Sequence, residues 1–119
     1  TVEIPRDSKL QIIDVSAFKN SAIKEITIPH HVTHINDSAF LECRKLQHVE
    51  IPSNSELQLI GSLAFGYTNI DKISIPSAVT KIGNNAFAFC RNLKVFNILH
   101  DSKLEIIVFV QNILNRHLK

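Results

Sequence analysis

The sequence predicts a solenoid of stacked coils whose strands form a parallel β-sheet, and two observations carry this prediction. The first is an internal repeat: residues 2–48 and 49–95 are identical at 22 of 47 positions when the chain is shifted against itself. The second is an Ala-Phe pair that recurs four times, at 17–18, 39–40, 64–65 and 86–87. Repeats of this length cannot bury their own apolar face alone, so they are expected to stack.

The 119 residues are predicted to form one domain over positions 1–119, with four units and an atypical end. The units lie near 2–25, 26–48, 49–72 and 73–95, and 96–119 holds a partial fifth unit. An apolar content of 45% and a charged content of 20% are typical of a folded domain that can bury a core. Because the chain begins in the middle of a repeat, it is interpreted as a piece of a longer array.

The strands are predicted from apolar alternation with a period of two residues. The segments "IKEITIP", "LQHVEIP", "IDKISIP" and "LKVFNIL" each show it in their C-terminal half, which indicates one buried face. Proline has no N–H to donate to a ladder, so it is expected to close four strands. These prolines are Pro5, Pro29, Pro52 and Pro76.

Each strand is followed by a predicted bend and then by the Ala-Phe pair. Residue types that tolerate left-handed backbone follow the next Ile, which predicts the bend at Asp14, Asn36, Gly61 and Gly83. Three polar residues come next and are expected to cap a single helical or 3₁₀ turn: Asp37, Ser62 and Asn84. The small Ala lets coils approach, and the four Phe rings are predicted to form a spine through the core.

The unit "L-x-x-V-x-I-P-x-x-V-x-x-I-G-x-x-A-F-x-x-C-x-x-L", read across 46–57 and 73–93, resembles the treponemal-type (BspA-like) leucine-rich repeat. The resemblance covers roughly residues 2–107 and weakens at Leu99, where Pro is expected. It implies a curved right-handed coil with the sheet on the concave face and short turns or 3₁₀ segments on the convex side. The end segment "VFVQNILNRHLK" is predicted to be a capping helix, since terminal repeats need atypical caps.

The composition excludes several classes of function. The net charge is only +2 and no basic run interleaves with aromatics, so no nucleic acid partner is predicted. The longest apolar run covers 106–110, far too short for direct membrane insertion. The motifs of nucleophilic, phosphate-binding and zinc-protease sites are absent from the sequence, so the chain is predicted not to be an enzyme and to need no cofactor.

Cys43 and Cys90 occupy the same slot two coils apart and are predicted to be buried structural thiols. Strand spacing places them about 10 Å apart, beyond the reach of a disulfide. Asn36 begins the only N-x-S/T sequence, Asn36-Asp37-Ser38, and its position favours plain turn chemistry over glycosylation.

His30, His31 and His34 form an H-H-x-x-H cluster. A zinc site wants two histidines on one face with a third ligand converging, whereas these lie where a strand passes into a turn. The aligned residues of the later repeat are of solvent-exposed types, so no metal site is predicted here.

The predicted binding surface is the outward face of the sheet, because a solenoid commonly uses this ladder of side chains for recognition. The expected ligand-contact residues are Glu25, Thr27, His48, Glu50, Lys72, Ser74, Val95 and Asn97. The resemblance implies a protein- or glycan-binding module of a surface or secreted, adhesin-like protein. An intracellular, cytoplasmic scaffold for protein–protein interaction is the alternative. A further alternative is that the face of the sheet is only solvated and binds no ligand.

Tyr67 and Phe89 align with Asn20 and Glu42, so both aromatics are expected to project from the turn after Ala-Phe rather than into the core. They belong to adjacent coils and are predicted to lie about 5 Å apart. Self-association is predicted through this pair or through an uncovered coil end with a free sheet edge, at Val2 and Ile4.

Overall fold

The computed structural model of the protein describes residues 3–98. Eight short strands follow one another: β1 (Ile12–Ile13), β2 (Glu25–Thr27), β3 (His34–Ile35), β4 (His48–Glu50), β5 (Leu59–Ile60), β6 (Lys72–Ile75), β7 (Lys81–Ile82) and β8 (Val95–Ile98). Every pairing between them is parallel and joins a strand to the equivalent strand one coil later. The predicted solenoid with its parallel sheet is therefore confirmed.

The even-numbered strands are the ones that the apolar alternation predicted. β2 pairs with β4, and β6 pairs with β8, while β4 and β6 lie side by side without ladder pairing. Ile26 and Ile73 point into the core between exposed neighbours, as the alternation requires. These four strands form the concave face.

The odd-numbered strands form a second sheet that the sequence did not predict. β1, β3, β5 and β7 make one four-stranded parallel sheet in that order. Each strand has only two residues, and its second residue is a buried Ile: Ile13, Ile35, Ile60 and Ile82. Two residues are too few to show an alternation, so periodicity could not reveal them.

The turns on the convex side differ from the prediction in where the left-handed backbone lies. No glycine has a positive φ; instead the first left-handed residue of each turn comes two positions after the predicted bend, at Ser16, Ser38, Leu63 and Asn85. A second follows four residues later, at Asn20, Glu42, Tyr67 and Phe89. The expected bend at Asp14, Asn36, Gly61 and Gly83 is therefore wrong in position.

Gly61 and Gly83 are needed because the backbones of adjacent coils come close together there, and not because their own backbone is left-handed. A Cβ on Gly61 would lie 2.5 Å from Asp37 Oδ1 and 2.6 Å from the Asp37 backbone nitrogen, and a Cβ on Gly83 would lie 2.5 Å from the Ser62 nitrogen. Real Cβ atoms do not reach such distances from backbone, so the tight stacking of the inner coils requires glycine here.

The Ala-Phe pair lies in overlapping turns instead of the predicted helical or 3₁₀ turn. In the first coil Ala17, Lys19 and Ser21 each donate a backbone hydrogen bond to the carbonyl three residues earlier, at 2.9–3.2 Å. Asp37 does not cap its own turn, because its Oδ1 accepts from the Ser62 nitrogen of the next coil at 2.8 Å. The alternate amides of each turn are thus free to bond between coils.

Those alternate amides tie the convex side together. Phe18 N donates to Ala39 O at 2.7 Å, Phe40 N to Ala64 O at 2.7 Å, and Phe65 N to Ala86 O at 2.8 Å. These hydrogen bonds repeat at the same position of each coil, so they hold the coils in register. They also give a partner to turn amides that have no hydrogen bond within their own turn.

The predicted Phe spine is confirmed. The rings of Phe18, Phe40, Phe65 and Phe87 stack in order with centroids 5.2, 5.1 and 5.5 Å apart and planes within 5°. Phe96 closes the row edge-on against Phe87 at 5.4 Å. Residues 3–98 contain no helix that could serve as a membrane span, and the predicted capping helix lies outside the described residues.

Candidate functional site

The predicted ligand-contact residues all lie exposed on the even-numbered strands. Strand pairing sets Glu25 opposite His48 and Thr27 opposite Glu50 in one half of the sheet. In the other half Lys72 faces Val95, and Ser74 faces Asn97. Alternation sends these side chains to the solvent because the residues between them fill the core.

The side-chain hydrogen bonds between coils on this face are long. Thr27 Oγ1 donates to Glu50 Oε2 at 3.5 Å, and Asn97 Nδ2 donates to Ser74 Oγ at 3.5 Å. Weak contacts of this kind leave most donors and acceptors of the face available to a ligand.

An open groove of about 950 Å³ covers the N-terminal half of this face. Its polar walls include Glu3, Glu25 and Glu50, and its apolar parts include Ile4 and the strand-closing prolines. The structure thus brings Glu25, Thr27, His48 and Glu50 together in the groove. It places the other four predicted residues, Lys72, Ser74, Val95 and Asn97, outside it.

Tyr67 and Phe89 stack as predicted, with centroids 4.7 Å apart and planes at 17°. Phe89 is 44% exposed, whereas Tyr67 is half-buried and so less exposed than the sequence predicted. The sequence interpretation missed two arginines beside them. The guanidinium carbon of Arg44 lies 5.2 Å from the Tyr67 centroid, and that of Arg91 lies 5.9 Å from the Phe89 centroid.

The arginines add charge to the aromatic pair. Guanidinium groups at these distances make cation–π contacts, and Arg44 also pairs with Glu42 at 3.5 Å. The repeat spacing could have found both, because Arg44 and Arg91 directly follow Cys43 and Cys90.

The two cysteines are buried in the core, as predicted, and are not bonded to each other. Cys43 Sγ donates to Phe18 O, and Cys90 Sγ donates to Phe65 O, each at 3.0 Å. Burial raises the pKa of the Cys43 thiol, although a backbone hydrogen bond from Ser21 opposes the shift. Both thiols are placed as packing elements between adjacent coils.

The three clustered histidines do not converge. His34 lies in β3, where its Nδ1 is 2.8 Å from Thr33 Oγ1. His30 and His31 have ring centroids 3.9 Å apart, and His31 Nδ1 lies 2.7 Å from Glu56 Oε2 of the next coil. One ligand atom from each of His30, His31 and Glu56 lies within 4.8 Å of the others.

Glu56 was missed because only histidines were considered. The signal was present in the repeat, since Lys9, His31, Glu56 and Ala78 all directly precede the apolar landmark after the strand-closing proline. Equivalent residues of adjacent coils lie side by side in a solenoid, so His31 and Glu56 are neighbours.

The fate of the remaining sequence-predicted positions is simple. Asn36 is half-buried in its turn, with its backbone N–H donating to Ile13 O at 2.9 Å. Ile4 is half-buried against the core cluster, and Val2 lies outside the described residues. Self-association through Val2, Ile4, Tyr67 and Phe89 stays a prediction.

Comparison with known families gives a match over most of the chain. A family described as "BspA type Leucine rich repeat region (6 copies)" matches residues 2–114. A search of curated proteins gives no match.

Three solved structures share the fold and some sequence. The pneumococcal vaccine antigen PcpA is 26% identical with a TM-score of 0.73, over 81% of this chain and 26% of that one. A leucine rich cell surface protein of Faecalibacterium prausnitzii is 36% identical with a TM-score of 0.62, over 68% and 20%. A leucine-rich repeat protein of Bacteroides capillosus is 28% identical with a TM-score of 0.66, over 76% and 64%. The chain thus spans less than two thirds of each.

Proposed function

Because the chain belongs to the BspA-type leucine-rich repeat family, we propose that it is a non-enzymatic module whose concave face binds a protein or glycan ligand. The observation that carries the proposal is the row of exposed side chains held in register by strand pairing, Glu25 opposite His48 and Thr27 opposite Glu50. Positions fixed before binding reduce the entropy lost when a ligand docks.

The chemistry of the face differs along its length. The groove half carries three carboxylates, of Glu3, Glu25 and Glu50, against one guanidinium, of Arg6, around apolar proline edges, which suits a ligand with cationic or hydroxyl groups. The far half presents Lys72 with Ser74 and Asn97, which suits carboxylate or hydroxyl groups. The pairing strands carry no Tyr, Trp or Arg, so each module is expected to bind weakly and to gain strength from repetition.

The proposed setting is the surface of a cell or the secreted fraction. PcpA is described as a vaccine antigen and the Faecalibacterium protein as a cell surface protein, which supports this setting. An intracellular scaffold that docks another protein is the alternative. Labelling intact cells that express the full-length protein with a membrane-impermeant reagent, and probing the culture medium for the protein, separates the two. A surface protein is labelled and a secreted protein is found in the medium, whereas an intracellular scaffold shows neither.

The test of the binding face uses a glycan array and a panel of extracellular matrix proteins. A variant with His48→Ala and Lys72→Glu changes two exposed concave positions, and Lys81→Glu changes an exposed lysine on the other sheet. We expect the concave variant to lose at least about tenfold in affinity for any ligand found, and Lys81→Glu to bind like wild type. Equal losses in both variants, or no binder in either panel, would contradict the proposal.

The non-enzymatic part of the proposal has its own check. It rests on the family, whose repeats serve as binding surfaces, and on a groove lined mainly by carboxylates, prolines, two imidazoles and one guanidinium. A panel of chromogenic ester, glycoside and phosphate substrates should show no turnover above that of buffer. Turnover that His48→Ala abolishes would overturn it.

A further inference from the structure

The loops that follow β2 and β4 bring two imidazoles and a carboxylate together. His30 and His31 follow Pro29 in one coil, and Glu56 occupies the equivalent loop of the next coil. The Glu56 backbone N–H donates to His30 O at 2.9 Å. The stacking of the coils therefore sets where Glu56 stands relative to the two histidines.

We propose that His30, His31 and Glu56 form a binding site for a divalent transition-metal ion of the zinc class. Their ligand atoms lie within 4.8 Å of one another. A tetrahedral ion with bonds of about 2.0–2.2 Å holds its ligands about 3.4 Å apart, so small side-chain rotations close the site. His31 and Glu56 are exposed and His30 is half-buried, so rotations of their side chains cost little free energy.

The donor set suits zinc better than the common hard cations. Two imidazole nitrogens and one carboxylate oxygen match the His₂Glu set of open zinc sites, whereas calcium and magnesium prefer oxygen ligands throughout. The ion would replace the 2.7 Å contact between His31 Nδ1 and Glu56 Oε2. Three protein ligands leave a fourth position for water or for a group of a partner.

A surface ion pair explains less of this arrangement. The side chains of His31 and Glu56 are 46% and 54% exposed, and exposed pairs contribute little to stability. The pair also does not involve the His30 ring, which lies 3.9 Å from that of His31. A shared ion accounts for all three side chains.

The place of the site gives it a use. His30 also lines the groove of the concave face, together with Glu3 and Glu25. An ion held there with an open position would offer a Lewis-acidic contact to a hydroxyl oxygen of a ligand in the groove. This use rests on the proposed function, but the metal site itself does not.

The test is calorimetric titration of the chain with Zn²⁺, accompanied by NMR of the histidine ring protons. We expect one ion per chain, with shifts at the rings of His30 and His31 and little change at His34 and His48. His30→Ala and Glu56→Gln should each weaken binding by at least about tenfold, since even outer-shell losses cost 10–100-fold. His34→Ala, which removes the third histidine of the cluster, should bind like wild type.

Several outcomes would overturn the site. Zinc that binds elsewhere would leave His30→Ala and Glu56→Gln unaffected, and a cluster of histidines alone would make His34→Ala as weak as His30→Ala. Absence of binding by the wild type would overturn it outright. Circular dichroism of each variant shows that the fold is intact. Because no groove ligand is added, failure here leaves the proposed binding face standing.

Discussion

Residues 10–21 of the first coil and residues 57–68 of the third coil contain the same sequence landmarks, but they have different surroundings. Phe18 N and Phe65 N donate to the next coil at 2.7 and 2.8 Å, so their backbone bonds are alike. Their burial is not alike, because Phe65 is 0% exposed while Phe18 is half-buried. A landmark therefore has the same position in every coil, but its contribution depends on its neighbours.

The topology explains this difference. β1 lies at the edge of the four-stranded sheet, whereas β5 lies between β3 and β7. Two apolar side chains of the first coil are exposed, Val15 at 58% and Ile12 at 49%, although Ile13 and Ile23 of the same coil are buried. In a solenoid each coil is stabilised by the interfaces with its neighbours, so within residues 3–98 a coil with one neighbouring coil is expected to be weaker than a coil with two.

The largest expected effect is at the centre of the Phe spine. Phe65→Ala should lower the free energy of unfolding by about 3–5 kcal/mol, because it removes a fully buried ring between two stacked rings. Denaturant melts measure the change. Phe89→Ala is the matched control and should cost much less, since the Phe89 side chain lies outside the buried core. Equal losses would show that the coil register is wrong.

The next effect concerns the contact between the third and fourth coils. Gly83→Ala should destabilise by about 1–3 kcal/mol, as overpacking does, because its Cβ meets the Ser62 backbone nitrogen. Gly66→Ala is the control, since its nearest neighbour is the Leu41 Cδ1 atom at 3.1 Å, the end of a flexible side chain. Thermal melts that rank Gly66→Ala as the more harmful variant would contradict the close-approach explanation.

At the edge coil the same spine should matter less. Phe18→Ala is expected to cost about 1–2 kcal/mol, because its ring is only partly removed from water and has one stacked neighbour in the spine. Measured under the same denaturant conditions as Phe65→Ala, the loss should be clearly smaller. A loss as large as that at Phe65 would mean that the first coil is as well supported as the third.

The recurrence of Ala-Phe and the strand-closing prolines predicted the solenoid, the spine and the outward face. These features depend on contacts that every coil repeats, and the residues that make such contacts recur visibly in a single sequence. Other features depend on contacts between coils. Three features arise from residues 21 to 25 positions apart in the sequence. They are the pairing of the two-residue strands, the need for glycine at Gly61 and Gly83, and the contact of His31 with Glu56. The left-handed residues were predicted two positions too early. The glycines at two of the predicted bends suggested left-handed backbone, whereas they are there because the coils pack closely at those positions.

The smallest expected effect on stability comes with a change in association. The Tyr67→Ser, Phe89→Ser double variant should fold normally, because both rings lie on the surface of the turns. Self-association is predicted to use the N-terminal coil end. Light scattering should therefore still detect it in this double variant and should show it weakened in Ile4→Ser. Loss of association in the aromatic variant alone would assign the interface to Tyr67 and Phe89 instead. A strict monomer at high concentration would contradict both.

The most direct test of the account is native-state hydrogen exchange at the backbone amides of Phe18, Phe40 and Phe65. The three amides donate equivalent hydrogen bonds of 2.7, 2.7 and 2.8 Å to the Ala of the next coil, so local geometry does not separate them. We predict that the amides of Phe40 and Phe65 exchange only through global unfolding, while that of Phe18 exchanges sooner through opening of the edge coil. Equal protection of all three, or greatest protection at Phe18, would contradict the claim that neighbouring coils determine the stability of each coil.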